Sequence, residues 1–393
     1  MLWTARRPAS DSPSRRSPAL RVAIDGRYID DAFPGIGRYT AELVHALAAL
    51  ENGDELAVLC DPRLPSRRPA VASLRGVHLV PAPTPRSFAL PQRRIRDLVR
   101  GIAPALFHSP WFLKPARLPC PSVVTIFDLI PRDHPRPDEG ALRRLAFRVL
   151  TWRSWRTAAA VMVPSAFTRA ELVRRLGVAP DRVHLTPLGV DRVRFRPREQ
   201  AEIDAVRARH RLPERYVLTL GSNEPHKNLT RLLDAWNRLA AHEGARLVVA
   251  GHENPRYRAT RALIDARDLA RDVAVLGDVD DDELPALLSG ATMLVHPSLA
   301  EGFGLTVLEA MACGTPVVCS HAGALPELVG DAAVVVAPTD AEGIGDAVRR
   351  VLRDTGLREE LRTRGLARSA DFSWRTTAET TRAVYRRVAA ARA

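Results

Sequence analysis

The stretch SLAEGFGLTVLEAMACGTPVV (298–318) sets two carboxylates, Glu301 and Glu309, on either side of a glycine-bearing loop and the start of a helical run. A strand-like segment ends at Pro297–Ser298, and helical apolar spacing sets in near Leu305. Eight residues of helix rise about 12 Å. The free N–H groups at a helix start carry partial positive charge and receive a pyrophosphate well. Gly302 and Gly304 allow backbone to approach a ligand without a Cβ. The pattern suits a molecule with hydroxyls at both ends and anionic charge between them, as a nucleotide sugar has. Without the glycine loop, the same two glutamates would read as a solvated loop and a helix face.

A second cluster, LGSNEPHKNLTRLLDAW (220–236), ends a strand at Gly221 and starts a helix near Asn228, with Lys227 at its head. An ammonium there can neutralise charge developing on a departing diphosphate. The plainer reading is a surface lysine beside a helix capped by Asn228. The acidic run GDVDDDELP (277–285) contains Asp-x-Asp, which fits either a divalent cation or the start of a helix, where Asp caps and complements the dipole.

Positioning such groups falls to an α/β scaffold. Short β-branched runs alternate with helical stretches throughout, the pattern of doubly wound parallel sheets. Strands are expected at 21–25, 56–60, 77–80, 105–109, 122–128 and 160–165, and helices at 38–50, around 92–100, at 142–156 and at 167–176. A second series of strands falls at 216–222, 245–251, 273–277, 292–298, 315–320 and 333–337. These divide into an N-terminal Rossmann-like domain over 19–195, a charged linker over 196–212 and a C-terminal Rossmann-like domain over 213–371. A final amphipathic helix over 372–393 either caps the second domain or crosses back over the first. Two such domains leave a cleft at the carboxyl ends of their strands, where open α/β sheets bind ligands. Residues 1–18, rich in Arg, Ser and Pro, read as a disordered tail, with a transit peptide as the alternative.

At 393 residues, two cores are expected. With 46% hydrophobic and 26% charged residues the composition is that of a globular protein, and no apolar run approaches the roughly 20 residues of a membrane span. Cys60, Cys120, Cys313 and Cys319 lack metal-ligand spacing; with no secretion signal evident, a reducing cytoplasm is expected. The net charge of +13 is almost entirely arginine. Spread along the chain without interleaved aromatics, it does not form a nucleic-acid reader; either an anionic membrane or glycan is its partner, or arginine simply stands in place of lysine. LRRLAFRVLTWRSWR (142–156) aligns Leu142, Leu145, Val149 and Trp152 on one face, which either lies on a membrane interface or covers the sheet.

The segments 286–320, GSNEPHKNLTRLLDAW and VPSAFTRAEL…LTPLGVD (163–191) resemble glycosyltransferase family 4, a group of GT-B retaining enzymes. IDGRYI…PGIGRYTAEL (24–43) and LPCPSVVTIFDLIPRDHP (118–135) resemble its mannosyl- and rhamnosyltransferase-like branch. The resemblance covers most of residues 20–330 and implies a GT-B fold and a metal-independent, cofactor-free transfer. The donor would be GDP-mannose or a similar nucleotide sugar, and the acceptor a glycan or lipid-linked molecule. It places Glu301 at the donor-sugar hydroxyls and Glu309 at the ribose. Backbone amides of Phe303, Gly304 and Leu305 would meet the sugar and diphosphate, Lys227 would pair with the phosphates, and Gly35 and Gly37 would form a glycine loop approaching the diphosphate. His108 matches a histidine often placed beside the donor sugar, and Asp128 is a candidate for positioning acceptor or donor. Two positions depart from the family pattern. His226 stands where Arg is common, which would weaken phosphate binding or make it pH-dependent. Phe127 replaces a His, which removes a polar group from the cleft. The alternatives are a nucleotide-sugar epimerase on the same architecture and a binding protein with a decayed site. A nicotinamide-dependent oxidoreductase is remote, because no G-x-G-x-x-G follows the first strand.

Overall fold

The computed structural model describes residues 19–29, 34–50, 53–61, 74–83, 92–135, 140–239 and 244–391. The expected tail over 1–18 lies outside them. In the first domain, β1 (Arg21–Asp25), β2 (Glu55–Cys60), β3 (Val77–Pro81), β4 (Leu106–Ser109), β5 (Ser122–Thr125), β6 (Ala160–Val163) and β7 (Val183–Leu185) form one sheet. Its order is β3-β2-β1-β4-β5-β6-β7, parallel throughout. The helices with it are α1 (Pro34–Ala48), α2 (Gln92–Ile102), α3 (Ile130–Asp133), α4 (Ala141–Thr157) and α5 (Ala166–Leu176).

After α6 (Gln200–His210), the second domain supplies β8 (Tyr216–Leu220), β9 (Arg246–Ala250), β10 (Val273–Gly277), β11 (Met293–His296), β12 (Val317–Ser320) and β13 (Val334–Val336). They run parallel in the order β10-β9-β8-β11-β12-β13. Between and after them come α7 (Leu229–Asn237), α8 (Thr260–Asp265), α9 (Leu284–Ser289), α10 (Leu305–Ala312), α11 (Leu325–Val329), α12 (Ala341–Arg353), α13 (Thr355–Ser369) and α14 (Trp374–Ala390). Strand order reverses between β1 and β4 and again between β8 and β11, and ligands of such sheets bind outside the strand ends at these switch points.

The central strands β4, β5, β6, β11 and β12 are buried at every position. Parallel strands covered on both faces read as unbroken apolar runs, so these segments were legible in the sequence. The stretch expected as a linker is instead largely helical. In α6, Ile203 and Val206 are buried and the helix packs on α9. The Glu202 carboxylate accepts from Glu199 N–H at 3.2 Å at the helix entrance. A short strand, β7, also went unread, since its burial falls from Val183 to an exposed Leu185.

The two domains are tied at several points. α14 packs along α1, and Thr377 Oγ1 donates to Pro187 O at 2.7 Å where the two crossing segments meet. They lie so close that a Cβ on Gly189 would sit 2.1 Å from Trp374 N, which excludes any side chain there. From the middle of α14, Arg382 grips Asp54 of the first domain. Glu327 of α11 reaches across to accept from Ala166 N–H (2.9 Å) and Phe167 N–H (3.0 Å), supplying an anion to the start of α5.

Candidate active site at the facing sheet edges

The residues after β11 meet those after β5. Glu301 lies in the loop between β11 and α10, where its Oε2 accepts from Lys227 Nζ at 2.9 Å and from His296 Nε2 at 3.0 Å. An ionised carboxylate can only accept, so the imidazole Nε2 is the donor. Burial by itself would raise the Glu301 carboxyl, but the Lys227 ammonium and the His296 bond outweigh it and hold the group well below the usual carboxylate range. His296 closes β11 and is buried, with Ser298 Oγ 3.1 Å from its Nε2. The sequence reading missed it, although a histidine ending a buried strand five residues before a glutamate was the available signal.

Lys227 stands between β8 and α7, in a turn that ends on Asn228 with φ 63°. Asn228 occupies the cap position of α7 but does not cap it. Its Nδ2 donates instead to Pro297 O (2.9 Å) and Pro338 O (2.7 Å), fixing the lysine turn to the end of β11. Beside it, His226 is buried, and burial together with Lys227 pushes its imidazole down to about 3. The expected pH-dependent charge at this position is therefore corrected: the ring stays neutral across the physiological range.

α10 begins at Leu305 behind Gly304, which adopts φ 104° and contributes no side-chain cap. The two glycines also serve the packing around this loop. A Cβ on Gly302 would lie 2.2 Å from Phe127 O and 2.8 Å from Asp128 Cβ, so this glycine lets the two domains touch. Gly304 is required by its left-handed backbone, with Leu325 packed 2.8 Å from where a Cβ would stand. Phe303 turns inward and its ring meets Phe372 edge-on at 5.9 Å.

Across the cleft, Asp128 takes a 2.8 Å bond from Ile130 N–H. Burial, reinforced by the nearby Glu301 charge, pushes its carboxyl up to about 6 despite that bond. Asp128, Thr168 and Glu171 of the first domain and Glu301 and Gly323 of the second line a cavity of about 220 Å³. A smaller pocket lies on the other side, where Gly221, Asn223, Lys227, Thr260 and His296 converge outside the ends of β8 to β11. The Lys227–Glu301 pair thus stands between the two.

Gly35 and Gly37 do not form a loop: both lie in the first turn of α1. The next residue, Arg38, reaches over the cleft to Glu309 Oε1 (2.6 Å) and Asp281 Oδ1 (2.9 Å). This arginine was also missed, because nothing in its local sequence marks a partner 271 residues away. Glu309 is buried within α10, and its negative charge, against the pull of burial, holds the Arg38 guanidinium firmly charged. Asp281, from the acidic run that also fitted a cation site, is committed to Arg38 and lies 3.6 Å from Arg194. No cluster with metal-ligand geometry occurs among the described residues.

His108 is likewise corrected. It lies within β4 fully buried, with Nε2 2.8 Å from Thr125 Oγ1 and Nδ1 2.7 Å from Tyr385 OH of α14. Burial pushes its imidazole down to about 3, and both nitrogens are engaged within the protein. It serves the core under α14 and offers no face to a ligand. Phe127, the apolar replacement in this region, packs edge-on to Tyr39 at 4.9 Å.

Comparison with known proteins bears on what this cleft is. Residues 34–194 match the profile described as Glycosyltransferase Family 4, and residues 202–368 that described as Glycosyl transferases group 1. The chain is 32% identical over 359 residues to the O-antigen chain mannosyltransferase B of Escherichia coli, covering 86% of this chain and 92% of that one. It is 31% identical over 327 residues to an MMP alpha-(1->4)-mannosyltransferase of Mycolicibacterium hassiacum, covering 78% and 76%. Among solved structures, sucrose-phosphate synthase from Thermosynechococcus elongatus superposes with a TM-score of 0.78 at 23% identity, over 95% of this chain and all (100%) of that one. WaaG, a glycosyltransferase involved in lipopolysaccharide biosynthesis, does so at 0.70 and 18% identity, over 92% and 98%. The paired parallel sheets, the two profiles and the near full-length relative agree: the chain belongs to glycosyltransferase family 4 and is a glycosyltransferase of the GT-B fold.

Proposed function

We propose that this glycosyltransferase moves a hexose, mannose or a deoxysugar, from a nucleoside diphosphate such as GDP to a glycan or lipid-linked acceptor. Transfer proceeds with retained anomeric configuration and without a metal. The observation that carries the reading is the Lys227–Glu301–His296 cluster beside the uncapped start of α10, standing between two cavities at the strand ends. The names of the two curated relatives, both mannosyltransferases, support mannose.

In this reading the diphosphate lies at the start of α10, where the N–H groups and backbone of Gly304 and Leu305 face its charge. Lys227 supplies a cation to the departing oxygen; its ammonium has three donors, of which one is spent on Glu301. Both protein bonds to Glu301 fall on Oε2, which leaves Oε1 for a sugar hydroxyl. His296 fixes the carboxylate's orientation from behind. Glu309, one turn further along α10, takes the ribose hydroxyls, and its bond to Arg38 sets its position. The acceptor enters through the cavity beside Asp128, on the face from which the diphosphate leaves; its oxygen bonds the anomeric carbon as the bond from that carbon to the diphosphate oxygen breaks, and its proton passes to the departing phosphate oxygen.

The test is to screen the purified chain for thermal stabilisation by a panel of nucleotide sugars, then to supply the hit with glycan and lipid-linked acceptors and determine the anomeric configuration of the product. A stabilising GDP-hexose and an α-linked product from an α-donor are expected. An inverted product, or conversion of donor alone to an isomeric nucleotide sugar, would overturn the proposal.

A further inference from the structure

Helix α4 is apolar on two opposite faces, and the protein covers only one. Trp155 is buried against the first sheet, and Phe147 packs beside it in the same cluster with Val124, Val161 and Leu172. On the other side, Leu142, Leu145, Val149 and Trp152 recur at intervals of three and four residues, so they form a single stripe along about 15 Å of helix. They are 81%, 58%, 46% and 48% exposed, four of the nine large apolar side chains exposed among the described residues. Scattered single apolar residues need no explanation, whereas a contiguous stripe does.

Charge selects the occupant. α4 carries five arginines and no acidic residue. By helical spacing Arg153 and Arg156 continue the stripe beyond Val149 and Trp152, and the Arg156 guanidinium sits 5.2 Å from the Trp152 ring centre. A second copy of this helix would add five more arginines and no carboxylate to pair with them. An aqueous anionic partner, such as a free glycan, would leave the leucines wet. A surface that is anionic outside and apolar beneath satisfies both: arginine stems lie along the boundary with their heads at the charge, tryptophan occupies the interface, and the leucines enter the hydrocarbon. We propose that the Leu142–Leu145–Val149–Trp152 face of α4, with Arg153 and Arg156, docks this protein in the plane of a bilayer bearing anionic headgroups.

This surface stands independently of the donor and acceptor chemistry, since it uses none of the cleft residues. The test is flotation of the full chain with vesicles of phosphatidylcholine alone or mixed equally with phosphatidylglycerol, at low and high salt. The wild-type chain should float with the anionic vesicles and at least tenfold less with the neutral ones, and lose binding in high salt. Leu145→Ser/Val149→Ser and, separately, Arg153→Glu/Arg156→Glu should each lower the bound fraction at least tenfold with unchanged melting behaviour, because all four side chains lie on the protein's outer face. Binding that survives the serine pair, or that neutral vesicles match, overturns the proposal, as does failure of the wild-type chain to float. Concentration-dependent dimerisation abolished by the serine pair would assign the face to a second copy and overturn it equally.

Discussion

Lys227 and Lys114 are the only lysines among 58 basic residues, and Lys227 is the one placed against Glu301. A compact ammonium is a point charge, unlike the planar fork of arginine, and it can serve a carboxylate and a phosphate at once. Removing one such electrostatic stabiliser costs on the order of a hundredfold in turnover or more. Lys227→Ala and Glu301→Ala should each show that loss in kcat under saturating donor, and near-normal rates in folded variants would dismiss the assignment. Asp128 behaves oppositely to Glu301. Its carboxyl, pushed up to about 6 by burial, binds a proton more tightly folded than unfolded, where about 3.9 is usual. The stabilisation this group gives is therefore full below about pH 4 and is lost as pH rises through about 6. Asp128→Asn cannot ionise, so its melting temperature should exceed the wild-type value above pH 7 and the gap should close toward pH 4. A gap independent of pH would show that burial of this charge is not its cause.

Among the elements, the β11–α10 connection does most to shape the site. The end of β11 holds His296, the loop holds Glu301, and the left-handed Gly304 aims the start of α10 at the cleft. The two glycines that read alike in the sequence act differently from Gly35. Gly302→Ala would drive a Cβ into the Phe127 carbonyl, which is backbone and cannot step aside. We expect it to lower stability by about 1–3 kcal/mol, the scale of overpacking, read by denaturant unfolding. Gly35→Ala, with nothing within 4 Å and a helical backbone, should leave stability unchanged or slightly raised. Equal effects at the two positions would mean that the domains do not meet at Gly302. The strands were legible because each buried β-branched run announces itself without help from elsewhere. α6 was not, because a charge-rich helix with only Ile203 and Val206 buried looks like a solvated linker until α9 is set against it.

At the scale of the molecule, the domains are joined across the cleft by the pairing of Arg38 with Glu309 and Asp281 and by the capping of α5 by Glu327, and along one side by α14. The Arg38–Glu309 pair is largely buried, so deleting the arginine strands a carboxylate in the interior at about 3–5 kcal/mol. Arg38→Ala should show a loss of that order in denaturant unfolding, and Arg38→Ala/Glu309→Gln should lose clearly less than the sum of the single variants. Strict additivity would show that the two side chains are not coupled.

The sequence by itself determined the two parallel sheets, the place of the E-x7-E loop at a strand end and the lysine at a helix head, since each rests on local pattern and short spacing. Tertiary structure alone decided that Arg38 faces Glu309 and that His108 belongs to the core beneath Tyr385. Which face of α4 stays bare was also settled only by packing. A side chain's partner depends on which segments the fold brings together, and no spacing along the chain encodes a contact between residues hundreds of positions apart.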